Sequence, residues 1–368
     1  MQLSSEDQLR LNVLVAQPLQ AVRIDESRMQ VHVLSEKGDA SVQLNPTCKD
    51  EKYIRLVRQF LSTHFLGSPG GYPVFLRRWT RMGQARDDSL EKLLLVGEPE
   101  AVAAVVHAQG LTDELARRAW WSSATAENAR RMLEKECVVK GKMGKELAQF
   151  LVEFLPFEEQ QKAIIDSVNL VLQPGLIDEE MRNELWKRGN RKNSYYIGFL
   201  QQTPNALPVE KEPHNDWQDI SVKLEDEIAR ENKVAQLLCQ SLSSAGQAYL
   251  ETAQLVLKKP NDQEAVAAIF NTIGDYFDKF QNSVYKWRDI EELTAFVEEG
   301  FASHQEIRKL IVIDEGFRPK LKALFTLSMI SETLVDPIFG MTDAIGSVMR
   351  KRIEHVVRPI TENLQVLR

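Results

Sequence analysis

The sequence predicts a mainly α-helical protein: a small N-terminal antiparallel β meander, then a short helical array, then a C-terminal helical bundle. Three observations carry this expectation. Apolar and polar residues alternate in residues 11–45 and not afterwards. From Asp50 onward apolar residues recur at i, i+3 and i+4. Helix caps come at short intervals as far as residue 202 and at longer ones beyond 217. With 368 residues, 43% hydrophobic and 27% charged, the chain has the balance of a globular protein and room for two or three domains. The expected boundaries are 1–48 for the meander as part of a first domain, 49–202 for the array, 203–217 for a linker and 218–368 for the bundle.

In the meander, "AVRIDESRMQVHVLSEKGDASVQLNP" places Val31 and Val33 on one face with Gln30 and His32 on the other. Turns fall at Asp25-Glu26-Ser27 and Lys37-Gly38-Asp39. The first helix follows from Tyr53, Ile54, Val57, Phe60 and Leu61, which share a stripe and leave Arg55, Arg58 and Gln59 outside. Gly67 to Pro73 ends it, because glycine tolerates positive φ and proline disfavours helix before it.

Six short amphipathic segments follow. Pro99 suits the first turn of one, with Gly110 past its end, and Thr112 caps the next with Asp113 and Glu114 in its first turn. The others are "TAENARRMLEKE", "MGKELAQFLVEFLPF", "EEQQKAIIDSVNLVLQPG" and "IDEEMRNELWKRG". Paired short helices fit a HEAT-like array, while the irregular spacing of their starts fits an irregular bundle equally well. The proline-rich "TPNALPVEKEPHNDW" reads as the linker. Beyond it one long helix is expected up to Pro260. A second starts after Asn261 or Asp262, with Ala265, Ile269, Ile273 and Phe277 as its core stripe. Further helices are expected near 289–299, 302–312 and 318–334, and a last one from Thr342 to Val357.

The net charge is −7, and residues 209–310 hold 19 acidic against 11 basic residues. That balance opposes nonspecific binding to nucleic acid or anionic membrane, while leaving room for a local basic face. Three dispersed cysteines, Cys48, Cys137 and Cys239, fit buried thiols in a reducing cytoplasm. The opening residues lack the pattern of an export signal. The best candidate for a membrane span, "ALFTLSMISETLVDPIFGM", contains Glu332, Asp336 and Pro337. Each charge at that depth costs about 2.5–3.5 kcal/mol, so no span and a cytoplasmic location are expected.

No pattern for metal binding, phosphate binding or nucleophilic catalysis is present, so no cofactor or metal and no catalytic residue is expected. "GSPGGYP" follows a helix where a phosphate loop needs a strand. "GKMGKEL" at 141–147 could present helix amides to an anion beside Lys140, Lys142 and Lys145, or form a plain basic turn. Cys137 lies between Lys135 and Lys140, but its "ECVV" setting predicts burial. The densest basic group lies in residues 51–86, seven cations against Glu51. There Tyr72, Arg77, Arg78, Trp79, Arg81 and Arg86 are the candidate binding residues, since guanidinium pairs phosphate and rings stack bases. The alternative is an elbow that buries Phe75, Leu76 and Trp79. A second cluster, Lys187, Arg188, Arg191 and Lys192, precedes Tyr195 and Tyr196.

The stretch "LGSPGGYPVFLRRWTRMGQARDDSLEKLLLVGEPEAVAAVVHAQGLTDELARRAWW" resembles the DsrS family, which accompanies the dissimilatory sulfite reductase system acting oxidatively in sulfur-oxidising bacteria. The likeness runs over about residues 1–205 and is one of segment text, so it transfers no site residues. It implies an accessory or regulatory protein of cytoplasmic sulfur oxidation, working by binding a protein partner of that machinery and without catalysis. Two alternatives remain: a post-transcriptional regulator gripping single-stranded RNA through residues 77–86, and a small-molecule enzyme with its site at the Gly-Pro turn.

Overall fold

In a computed structural model, residues 2–67, 90–280 and 286–368 are described. The mainly α-helical class with an N-terminal β meander holds. The meander is preceded by a helix, α1 (Ser5–Val15), so residues 11–15 are helical and not part of the strands expected over 11–45. Leu11, Leu14 and Val15 are buried at helical spacing, and Ser4 caps the helix by accepting from the Asp7 amide. Strands β1 (Leu19–Asp25), β2 (Gln30–Ser35) and β3 (Gly38–Gln43) pair antiparallel in sequence order, with Val22 opposite Val33 and Val31 opposite Val42.

Helix α2 (Asp50–Leu66) buries Tyr53, Ile54, Val57 and Leu61 and closes on Gly67 at φ 63°, a left-handed cap that glycine reaches without strain. These residues share a core with Leu11, Leu14, Val22, Val31 and Val33. The short helices α3 (Leu90–Leu93), α4 (Pro99–His107), α5 (Asp113–Ser122), α6 (Ala126–Leu133), α7 (Glu136–Val139) and α8 (Met143–Phe154) follow. Thr112 and Thr125 cap α5 and α6 through their hydroxyls.

The chain forms two compact units, Met1–Phe154 and Leu155–Arg368. The division thus falls between Phe154 and Leu155 and not in the 203–217 segment. Helices α9 (Gln161–Val171), α10 (Glu179–Arg188) and α11 (Ser194–Gln202) belong to the second unit. The reason lies in α11, which is buried on every side from Ser194 to Leu200. A helix without a polar face must be enclosed. Its Ile197 and Leu200 join a core that includes Leu238, Tyr249, Ile269 and Ile273.

The expected linker is a fixed strap within that unit. The His214 amide donates to Leu242 O at 2.9 Å, Lys211 pairs with Glu251 at 2.6 Å, and Leu207 packs on the core.

The long helix expected up to Pro260 is four: α12 (Trp217–Lys223), α13 (Glu225–Ala229), α14 (Lys233–Leu242) and α15 (Ser244–Lys258). Glu231 at φ 61° breaks the chain before Asn232, whose side chain caps α14, and Ser243 caps α15. Helix α16 (Gln263–Phe277) is capped by Asp262 and buries Ala265, Ile269, Ile273 and Phe277 as expected. After it come α17 (Ile290–Gly300), α18 (Gln305–Ile313), α19 (Arg318–Leu327), α20 (Asp336–Phe339) and α21 (Gly346–Val366). Helix α21 continues past Val357 through Pro359. One backbone bond is lost there, but burial of Ile360 and Leu364 extends the apolar stripe. Among the described residues, no helix is long and apolar enough to cross a membrane.

Candidate functional site

Tyr72, Arg77, Arg78, Trp79, Arg81 and Arg86, the Gly-Pro turn among them, lie outside the described residues. The second basic cluster offers no stacking platform. Tyr195 and Tyr196 are buried, Tyr196 lies against Trp186 with ring centroids 4.6 Å apart, and Lys192 donates to Glu158 O at 3.0 Å. Burial pushes both tyrosine hydroxyls up.

At the 141–147 turn, the chain fills the anion position itself. The Asp113 carboxylate accepts from the amides of Lys142 at 3.0 Å and Met143 at 3.1 Å, at the start of α8. A Cβ at Gly141 would sit 2.1 Å from Asp113 Oδ1, so glycine is what lets the carboxylate in. Of the three cysteines expected to be buried, Cys48 and Cys239 are half-buried and Cys137 is exposed. It occupies the single turn α7, where Val138 takes the inward position, and its thiol donates to Leu111 O at 3.1 Å. Among the described residues no group of three or more His, Cys, Asp or Glu could hold a metal ion.

Among the described residues two concave surfaces stand out, both in the second unit. The first is a groove between α15 and α21, made of two hollows of about 330 and 590 Å³ that share Lys258. Leu257, Ile353 and Val357 give the first hollow an apolar lining, and Leu255 is an exposed apolar side chain of the second. Around them stand Lys258, Arg350, Lys351 and Arg368 against Glu251 and Glu354. Glu251 is already neutralised twice, by Lys211 at 2.6 Å and Arg368 at 2.8 Å. Arg350 is aimed by its bond to Pro260 O at 3.2 Å. The groove is therefore cationic in a chain whose net charge is −7.

The second is a polar cleft of about 560 Å³ among α9, α11, α14, α16 and the strap. Asn169, Gln201, Asn205, Gln240, Thr272 and Tyr276 line it, with Asp275 and Lys279. Asn169 Nδ2 donates to Gln201 Oε1 at 3.0 Å, Gln201 Nε2 to Thr272 Oγ1 at 3.2 Å, and Gln240 Nε2 to Asn205 Oδ1 at 2.7 Å. Under the cleft, Tyr276 stacks on Tyr249 with centroids 3.7 Å apart, and the Tyr249 hydroxyl donates to Thr272 O at 3.0 Å. Burial pushes the Tyr276 hydroxyl up to about 12. Partial burial, with Asp278 alongside, raises the Asp275 carboxyl.

Sequence reasoning missed both surfaces. Arg350-Lys351-Arg352 and Lys258-Lys259 were visible as basic runs, but only the fold places α15 beside α21. The cleft had no signal at all, because its amides are scattered from residue 169 to 240 and meet only through packing. No family model, no curated protein and no solved structure matches the chain.

Proposed function

We propose that this protein is a non-catalytic accessory protein that works by holding a protein partner in the groove between α15 and α21, in the cytoplasmic sulfur-oxidation setting implied by the DsrS resemblance. The observation that carries the binding role is the groove itself, with an apolar lining and a cationic rim on an otherwise acidic chain. Such a surface suits an acidic amphipathic segment, whose apolar face fills the groove while its carboxylates meet Lys258, Arg350 and Lys351. Buried apolar contact holds such a complex, and the charges select it and speed its formation.

The test is co-purification from a sulfur-grown host, comparing wild type with K258E/K351E. Wild type is expected to retain a component of the sulfur-oxidation machinery. That partner should bind the purified protein less tightly as salt rises, and the double variant should weaken binding about tenfold or more. Recovery of the isolated monomer alone, equal capture by the variant, or a shift of single-stranded RNA instead of a protein would overturn the proposal.

A further inference from the structure

The polar cleft shares no lining residue with the groove. Its volume of about 560 Å³ lies within the range of small-molecule sites. The decisive feature is the Tyr276 hydroxyl. The side chain is 9% exposed, yet its oxygen comes no closer than 3.5 Å to Asn205 Oδ1 and to Gln240 Nε2. Good O–H···O bonds are about 2.7–2.8 Å long, so this buried hydroxyl is held at the outer limit of bonding and faces a cavity.

Around it the bonding capacity is ordered and incomplete. Gln240 and Asn205 fix each other at 2.7 Å, which leaves the side-chain oxygen Oε1 of Gln240 and the side-chain nitrogen Nδ2 of Asn205 with no hydrogen bond among the described residues. The exposed Asp275 and Lys279, one residue before Tyr276 and three after it, also line the cleft. Among the described residues neither is joined to another side chain by a hydrogen bond or ion pair. Partial burial, and then the charge of Asp278 alongside, raises the Asp275 carboxyl, and a ligand cation placed against that carboxylate offsets both.

We propose that this cleft binds a small polar ligand carrying a free ammonium group, of the class of an α-amino acid or the N-terminal end of a short peptide. The ligand ammonium sits against Asp275, its carboxylate or next carbonyl accepts from Lys279, and its polar arm meets the Tyr276 hydroxyl, Asn205 and Gln240. The aromatic pair Tyr249–Tyr276 and the bonded amides hold these groups before the ligand arrives, which lowers the cost of ordering them on binding. This proposal goes beyond partner binding and does not depend on it.

Titration calorimetry on the full chain tests it with L-glutamine and glycylglutamine, which separate the free amino acid from the peptide. N-acetylglutamine serves as the probe without an ammonium, and maltose as a neutral polar control. One or both ammonium-bearing probes are expected to bind, with acetylation and D275N each weakening binding about tenfold or more. Y276F, which removes only the hydroxyl, is expected to weaken it about three- to tenfold. Unchanged far-UV circular dichroism will show that both variants fold. No heat from either ammonium-bearing probe up to about 10 mM, equal binding of N-acetylglutamine, preference for maltose, or a D275N variant that binds as wild type would overturn the proposal.

Discussion

Tyr53 and Tyr276 are the same side chain in closely similar burial, and they are put to different use. Both are largely or wholly enclosed, and burial pushes both hydroxyls up. Tyr53 donates to Asp7 Oδ2 at 2.5 Å and accepts from the Ser4 amide at 3.1 Å. The same Asp7 oxygen takes the Asn45 amide at 2.8 Å, so one carboxylate ties α1, α2 and the end of the meander together. Tyr276 reaches its two partners only at 3.5 Å. Depth of burial sets how hard a tyrosine is to ionise, and partner geometry separates a hydroxyl that holds the fold from one left available to a ligand.

The comparison breaks if the Tyr53 network proves dispensable. Asp7→Ala strips the acceptor from a buried hydroxyl and a backbone amide, and should cost about 3 kcal/mol in chemical denaturation of the full chain. Tyr53→Phe keeps the ring and leaves the buried Asp7 carboxylate short of its best donor, for about 2 kcal/mol. Losses under about 0.5 kcal/mol in both would mean that this network does no more than an exposed one.

Much of the fold around Tyr53 was legible in the sequence, because the cause was local. The stripe of Tyr53, Ile54, Val57 and Leu61, its Gly67 cap and the Thr112 cap all act within one or two turns. Features that depend on distant partners were not legible. Helix α1 is the exception, since its Ser4 cap and its Leu11, Leu14 and Val15 spacing are local signals that the strand reading from residue 11 overrides. The strap reads as a linker in the sequence because its anchors, Leu242 and Glu251, lie more than 25 residues on. Pro359 looked like a terminus, yet burial of Ile360 and Leu364 outweighs one missing bond. The cleft is the extreme case, since Asn205, Gln240 and Tyr276 are ordinary residues until α14, α16 and the strap meet.

A middle case sharpens the contrast. Glu114 is about half exposed, and hydrogen bonds from Arg117 and then Arg118 hold its carboxyl down to about 2, against an ordinary value of 4.5. Because the folded value is the lower one, its stabilisation is full above about pH 4.5 and is lost as pH falls towards about 2. Solvent screening reduces the contribution to about 1 kcal/mol. Denaturation curves across that window should therefore fall more steeply for wild type than for Glu114→Gln. Parallel curves would show that the paired arginines add nothing.

The smallest expected effect is the most discriminating. Tyr276→Phe removes a hydroxyl whose bonds lie at 3.5 Å, and it keeps the ring stacked on Tyr249, so stability near neutral pH should change by less than about 0.5 kcal/mol. Above pH 10 the sign is set by the raised folded value. The unfolded chain gives up this proton near 10 and the folded chain near 12, so wild type loses stability between those values. The Phe variant, having no proton to lose there, should lose less over the same range, while Tyr53→Phe is already weakened at neutral pH. If Tyr276→Phe instead cost as much at pH 7 as Tyr53→Phe, the Tyr276 hydroxyl would be a structural group like its counterpart. The cleft would then lose the feature that marks it as a site.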